Sequence, residues 1–181
     1  GVASVIDRTV ARAVRAGVAV GAHPSHFDLR GFGRREIAAD PAEVEADVLY
    51  QVGAVAAFAR AHGSHLTHVK PHGALYSQAA RDEALARAIA RGVARAGREL
   101  ALVGLAGSAA MRRAAEGEGL RFAAEAFADR AYDREGRLVP RIMQHPGHFT
   151  ARVALPSGVG HGQGGLDRIG RDQGVGIGCR A

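Results

Sequence analysis

Cysteine is almost absent from this chain. The single Cys179 rules out an intramolecular disulfide and any zinc site built from several thiolates, and a reducing, cytoplasmic setting is the expectation. Lysine is as scarce, with Lys70 alone against 23 arginines. No apolar run approaches the roughly 20 residues that cross a bilayer, so no membrane partner is expected. No charged-then-apolar segment of the signal-peptide kind opens the chain either. Two phosphate-binding signatures are also missing. There is no Walker A sequence, and Gly31-Phe-Gly33 lacks the strand-then-helix setting of a dinucleotide fingerprint. Ser108 sits in Gly107-Ser108-Ala109 and not in Gly-x-Ser-x-Gly, which argues against a serine-hydrolase elbow.

What is present is ordinary globular composition, with 47% hydrophobic and 23% charged residues over 181 positions. The net charge of +6 would suit nucleic acid, but its distribution argues otherwise. Arginines alternate with acids in Arg81-Asp82-Glu83 and Arg98-Glu99, the pattern of solvated helix faces. No nucleic-acid partner is expected.

Apolar spacing predicts a helix over 2–16, closed by Gly17, and a buried strand over 18–22. Asp40, Pro41 and Glu43 announce a helix running to about Ala61, with a capping-box-like start. Strands follow at 66–69, 100–105 and 121–124, separated by helices at 82–96 and 107–116. Alternation of this kind implies parallel strands joined by right-handed crossovers. Four βα units are visible where a complete barrel takes about 250 residues, so an irregular, incomplete β/α barrel is expected, with a doubly wound sheet as the competitor. The expected core is 1–141. The remainder, 142–181, holds ten glycines and no lasting period, and is expected to be a loosely ordered or aberrant tail.

Both architectures bind ligands beyond the C-terminal ends of their strands, and the polar clusters follow the strands. His23 and Asp28 follow the first, Lys70 and His72 the second, and Glu125, Asp129 and Arg130 the fourth; Arg34 lies in the first long loop. Lys70 offers a compact ammonium for a phosphate or carboxylate. His72 offers a donor or proton relay. Glu125 and Asp129 are the candidate bases. His23, His72 and Asp28 or Asp129 have the chemistry of metal ligands, but no compact spacing supports a metal, and none is assigned.

Five segments carry a resemblance: Gly-Val-Ala-Val-Gly-Ala-His-Pro-Ser at 17–25, Gly-Phe-Gly-Arg-Arg at 31–35, Val-Lys-Pro-His-Gly-Ala-Leu-Tyr at 69–76, Gly-Leu-Ala-Gly-Ser at 104–108 and Glu-Ala-Phe-Ala-Asp-Arg-Ala-Tyr at 125–132. Together they resemble the LamB/YcsF family, the A subunits of bacterial ATP-dependent 5-oxoprolinase. The resemblance implies a barrel related to the glycoside hydrolase/deacetylase type. It further implies ATP-coupled opening of 5-oxoproline to glutamate, with Mg²⁺ accompanying the nucleotide, and 5-oxoprolinase subunits B and C as partners. The chain departs from the pattern at both ends. The family's Asp-Leu-Asn strand and Cys-Gly-x-His-Ala-Gly-Asp segment are represented only by Gly1, and its Cys-Val-His-Gly-Asp strand is not found, so a missing N-terminal strand is expected. On the chemistry of the residues, Lys70 and His72 are expected on transferred phosphate, His23 with Arg34 or Arg130 on substrate, and Glu125 or Asp129 on water. The rival readings are a metal-dependent deacetylase and a non-catalytic binding subunit.

Overall fold

The computed structural model describes residues 2–134 and 138–139. The expected tail over 142–181 lies outside the described residues.

Helix α1 (Ala3–Arg15) leads to β1 (Val20–Ala22), and α2 (Pro41–Ala61) to β2 (Leu66–Val69). Then come α3 (Gly73–Ala79), α4 (Glu83–Ala96), β3 (Ala101–Leu105), α5 (Ala109–Gly117) and β4 (Arg121–Glu125). Local chemistry sets most boundaries. Asp40 accepts from Ala42 N at 2.7 Å beside Pro41, and Asp82 accepts from Ala84 N and Leu85 N at 2.8 and 3.1 Å. Asp40 caps α2 without the reciprocal bond of a full capping box; among the described residues no bond returns from Glu43. The first strand begins at Val20 and not at 18, because Val18 N turns back to Ala13 O to close α1. The seven-residue α3 is an element that the apolar spacing did not announce.

The four strands pair in parallel in the order β1-β2-β3-β4. A doubly wound sheet reverses its strand order at a switch point; a β/α barrel proceeds sequentially around its axis. Among the described residues the strand order is the sequential one of a β/α barrel.

Register decides which side chains meet. One ladder runs Ala22, Val69, Leu102, Phe122, and the next runs Gly21, His68, Ala101, Arg121. Side chains alternate along a strand, so these ladders occupy opposite faces. The first faces the helices, where Val48, Val52, Ile89, Val93 and Met111 form the core with it. All of β3 is buried, as a central parallel strand requires. The second ladder faces the barrel axis. Here Gly21 is obligatory for space: a Cβ would sit 2.2 Å from Nε2 of the buried His68.

Candidate functional site

Alternation carried to the strand ends places His23, Lys70 and Glu125 on the axial face, continuing Gly21, His68 and Ala123 respectively. Each comes from a different βα unit, and the structure brings them together. Lys70 Nζ donates to Glu125 Oε2 at 2.7 Å, with both side chains largely buried. The ammonium also stands 5.0 Å from the centroid of the Phe127 ring, a distance at which the ring face attracts a cation. Tyr76, on α3, meets Phe127 edge to face, and Phe127 N donates to Tyr132 Oη at 2.6 Å.

Among the described residues, two polar atoms in this cluster have no hydrogen-bond partner: Glu125 Oε1 and the Tyr76 hydroxyl, both buried. Burial raises the Tyr76 phenol, and the adjacent Glu125 carboxylate raises it further, although no hydrogen bond of sound geometry joins the two. The Tyr76 proton is therefore held firmly and is available only for donation. Below Lys70, burial lowers His68, with the Lys70 charge acting in the same direction, and Thr67 Oγ1 lies 2.8 Å from its Nδ1.

At the mouth, His23 Nδ1 lies 2.6 Å from Lys70 O, His23 Nε2 lies 2.9 Å from His72 Nδ1, and His72 Nε2 lies 2.9 Å from Phe32 O. His23 reaches solvent, yet the protein packed around its ring lowers its pKa, with the bond to Lys70 O acting in the opposite sense. The loop between β1 and α2 closes over His72. Phe32 meets His72 edge to face from a left-handed conformation (φ 54°), and the Arg34 guanidinium lies 5.5 Å from the Phe32 ring centroid. Gly73 has φ 58° and lies so close to Gly33 that a Cβ would come within 2.3 Å of its carbonyl oxygen. The loop and the start of α3 thus lock together, with Ala74 N donating to Gly33 O at 2.8 Å.

The remaining expected residues stand apart from the ion pair. Asp129 is exposed and makes no side-chain hydrogen bond or ion pair among the described residues. Arg130 Nη2 donates to Val139 O at 2.8 Å. Asp28 is turned to its own loop, where it accepts from Gly31 N at 3.0 Å and from Arg35. Among the described residues no three His, Cys, Asp or Glu side chains gather as metal ligands, and no helix is long and apolar enough to cross a membrane. Ser108 is committed to backbone: Oγ donates to Ala80 O at 2.9 Å and accepts from Met111 N at 3.1 Å, capping α5.

Tyr76 and Phe127 are residues of this candidate site that sequence reasoning leaves unassigned, and His68 is one that it reads as structural. Tyr76 is visible within the Lys70–Tyr76 cluster, but its placement depends on α3. His68 is visible only as a residue near a strand; its axial orientation follows from the register.

An α/β chain with sequential parallel strands and its polar residues converging at their C-terminal ends has the layout of a β/α-barrel enzyme. Residues 1–153 match the LamB/YcsF family, and the chain belongs to it. It is 60% identical over 137 residues to the 5-oxoprolinase A subunit of Chloroflexus aggregans, covering 76% of this chain and 54% of that protein. Identity is 56% over 137 residues to the 5-oxoprolinase A subunit of Geobacillus kaustophilus, covering 76% of this chain and 53% of that one. The chain thus spans about half the length of these curated relatives. The crystal structure of the lactam utilization protein from Thermus thermophilus superposes with a TM-score of 0.74 at 53% identity, over 79% of this chain and 57% of that one.

Proposed function

We propose that this chain supplies the lactam-binding face of an ATP-dependent 5-oxoprolinase, serving as its A subunit together with subunits B and C to open 5-oxoproline to glutamate. The observation that carries the reading is the Lys70–Glu125 pair, flanked by Glu125 Oε1 and a Tyr76 hydroxyl that lack partners among the described residues. Buried polar atoms are ordinarily satisfied. A cyclic amide offers an acceptor for Tyr76 and, with its attacking water, a donor for Glu125.

The strand-end cluster suits a neutral amide better than a polyphosphate. Its ammonium is already neutralised by Glu125, and the sequence holds no Walker A loop. We therefore assign the lactam to this chain and the nucleotide, with its Mg²⁺, to the assembled complex. ATP supplies the activation that an unreactive amide needs, by phosphoryl transfer to the amide oxygen.

This chain's residues do the rest. Lys70 and the Tyr76 hydroxyl donate to the amide oxygen, and Lys70 offsets the negative charge of the phosphoryl group which that oxygen comes to carry, in a site that excludes much of the solvent. As water adds to the ring carbon that bears the phosphorylated oxygen, Glu125 Oε1 accepts its proton. The C–N bond then breaks with that proton passing to the ring nitrogen, and a second water releases phosphate from the resulting acyl phosphate to leave glutamate. Glu125 takes this role over Asp129 because it lies beside Lys70. Arg34 holds the substrate carboxylate, since Arg130 is bonded to Val139 O, and His23 and His72 line the same mouth.

The test is glutamate release from 5-oxoproline by this chain with subunits B and C. Glu125→Gln should lower turnover by roughly 10²–10⁴, the usual contribution of a positioned base. Lys70→Met should lower it by about 10²–10³, and Lys70→Arg should rescue only in part, because a planar guanidinium is larger and donates along fixed directions. Undiminished release by Glu125→Gln and Lys70→Met would refute the assignment.

A further inference from the structure

The contacts at the mouth form a chain that is one proton short. It runs from Lys70 O through the rings of His23 and His72 to Phe32 O, in three contacts of 2.6–2.9 Å. Both ends are carbonyl oxygens, which only accept, so His23 Nδ1 and His72 Nε2 must each carry hydrogen to bond them. The contact between His23 Nε2 and His72 Nδ1 needs a hydrogen of its own. Three contacts therefore need three protons, and two neutral imidazoles carry two. In the neutral pair, two lone pairs must face one another somewhere along the chain. A fourth proton has no place either, because it would set two N–H groups against each other between the rings.

We propose that His23 and His72 act as one proton-binding unit, taking up a single shared proton as the carboxylate of the substrate enters beside them. The role of the substrate rests on the lactam reading above; the shared proton rests on the geometry alone. Among the described residues the charged groups around the unit are few. From the ends of β2 and β4 come Lys70 and Glu125, which neutralise each other at 2.7 Å. The loop between β1 and α2 contributes Arg34, lying over the Phe32 ring, while Asp28 and Arg35 of that loop are paired. His68 lies below Lys70 on β2 and is buried. Packing around His23 opposes a charge on the unit in the free protein, and Lys70 does so too. An arriving carboxylate supplies the missing counter-charge. The complete chain then fastens Phe32 O and its loop over the site.

The test is imidazole ¹⁵N chemical shift against pH in the full chain. His23 and His72 should titrate with one common midpoint, each ring showing about half the shift of a full protonation, so that the pair gains one proton in total. In His23→Gln, the His72 ring should instead show the full shift of a lone histidine. Two independent full protonations in the unmodified chain, or a His72 ring unchanged by His23→Gln, would overturn the proposal. Addition of 5-oxoproline should raise the common midpoint. A shared midpoint that 5-oxoproline leaves in place would uphold the proton-sharing pair and refute the lactam reading, which separates the two failures.

Discussion

Gly21→Ala tests the axial face directly, because its sign should depend on one other residue. A Cβ at position 21 would lie 2.2 Å from Nε2 and 2.5 Å from Cδ2 and Cε1 of His68. The ring must then move by about 1 Å or more to reach an ordinary contact of about 3.5 Å. It has little freedom to do so, being buried between Gly21 and Lys70, with Thr67 Oγ1 2.8 Å from Nδ1. Forcing an added methyl into packed surroundings costs about 1–3 kcal/mol, and loss of the Thr67 contact adds about 1 kcal/mol. Against this, alanine narrows the unfolded ensemble and contributes about 0.4–1 kcal/mol of stability at a position of compatible backbone. Gly21 has no positive φ to forbid it. The net expectation is destabilisation of about 1–3 kcal/mol, seen as a lower urea midpoint at unchanged slope. In a His68→Ala background the obstacle is gone, and Gly21→Ala should stabilise by about 0.5 kcal/mol. The double-mutant cycle should therefore show a coupling of about 2 kcal/mol. Equal effects of Gly21→Ala with and without His68 would show that the two do not meet and would refute the inferred register of β1 on β2.

Tyr76→Phe should raise stability slightly, by up to about 1 kcal/mol, because it deletes a buried hydroxyl that has no partner among the described residues; turnover of 5-oxoproline should fall at least tenfold, and a destabilised or fully active variant would count against the assigned role. Hydrogen bonding from Arg35, with help from Gly31 N and against the effect of burial, holds the Asp28 carboxyl at about 2 in place of 3.8. A depressed acid stabilises the fold fully above its unfolded value and loses that contribution as pH falls through its folded one, so the urea midpoint should drop between about pH 4 and pH 2. Arg35→Ala should flatten this acid limb, which denaturation at stepped pH will show.

Much of the fold was legible because its signals are local. Asp40 before Pro41 and Asp82 before Glu83 start helices through side-chain caps, and the apolar run at Ala101–Leu105 could only be a buried strand. The short α3 escaped because seven residues hold barely two turns, and it begins without a side-chain cap. Lys70, His23, His72 and Glu125 could be placed at strand ends from spacing alone, and the structure gathers them there. Which carboxylate answers Lys70 could not be read. Glu125 and Asp129 are four positions apart and chemically alike, and only the pairing of Leu105 with Glu125 fixes the choice. The unsatisfied Tyr76 hydroxyl likewise depends on the phase of a helix that the apolar pattern did not reveal.

The Lys70–Glu125 pair joins residues 55 positions apart at the C-terminal ends of non-adjacent strands, with β3 lying between them. Its existence depends on parity. If β4 slipped by one residue against β3, Ala124 would turn toward the axis and Glu125 toward the helices. The carboxylate would then face Met111 and the apolar side of the sheet, and Lys70 would lose its counter-ion. A misregistered chain could keep its helices, its strands and most of its backbone bonds while the pair vanished entirely. The distance between one amine and one carboxylate therefore reports whether three strands have been counted correctly, and a chemical probe of Lys70 reactivity would distinguish a correctly threaded sheet from a shifted one where circular dichroism would not.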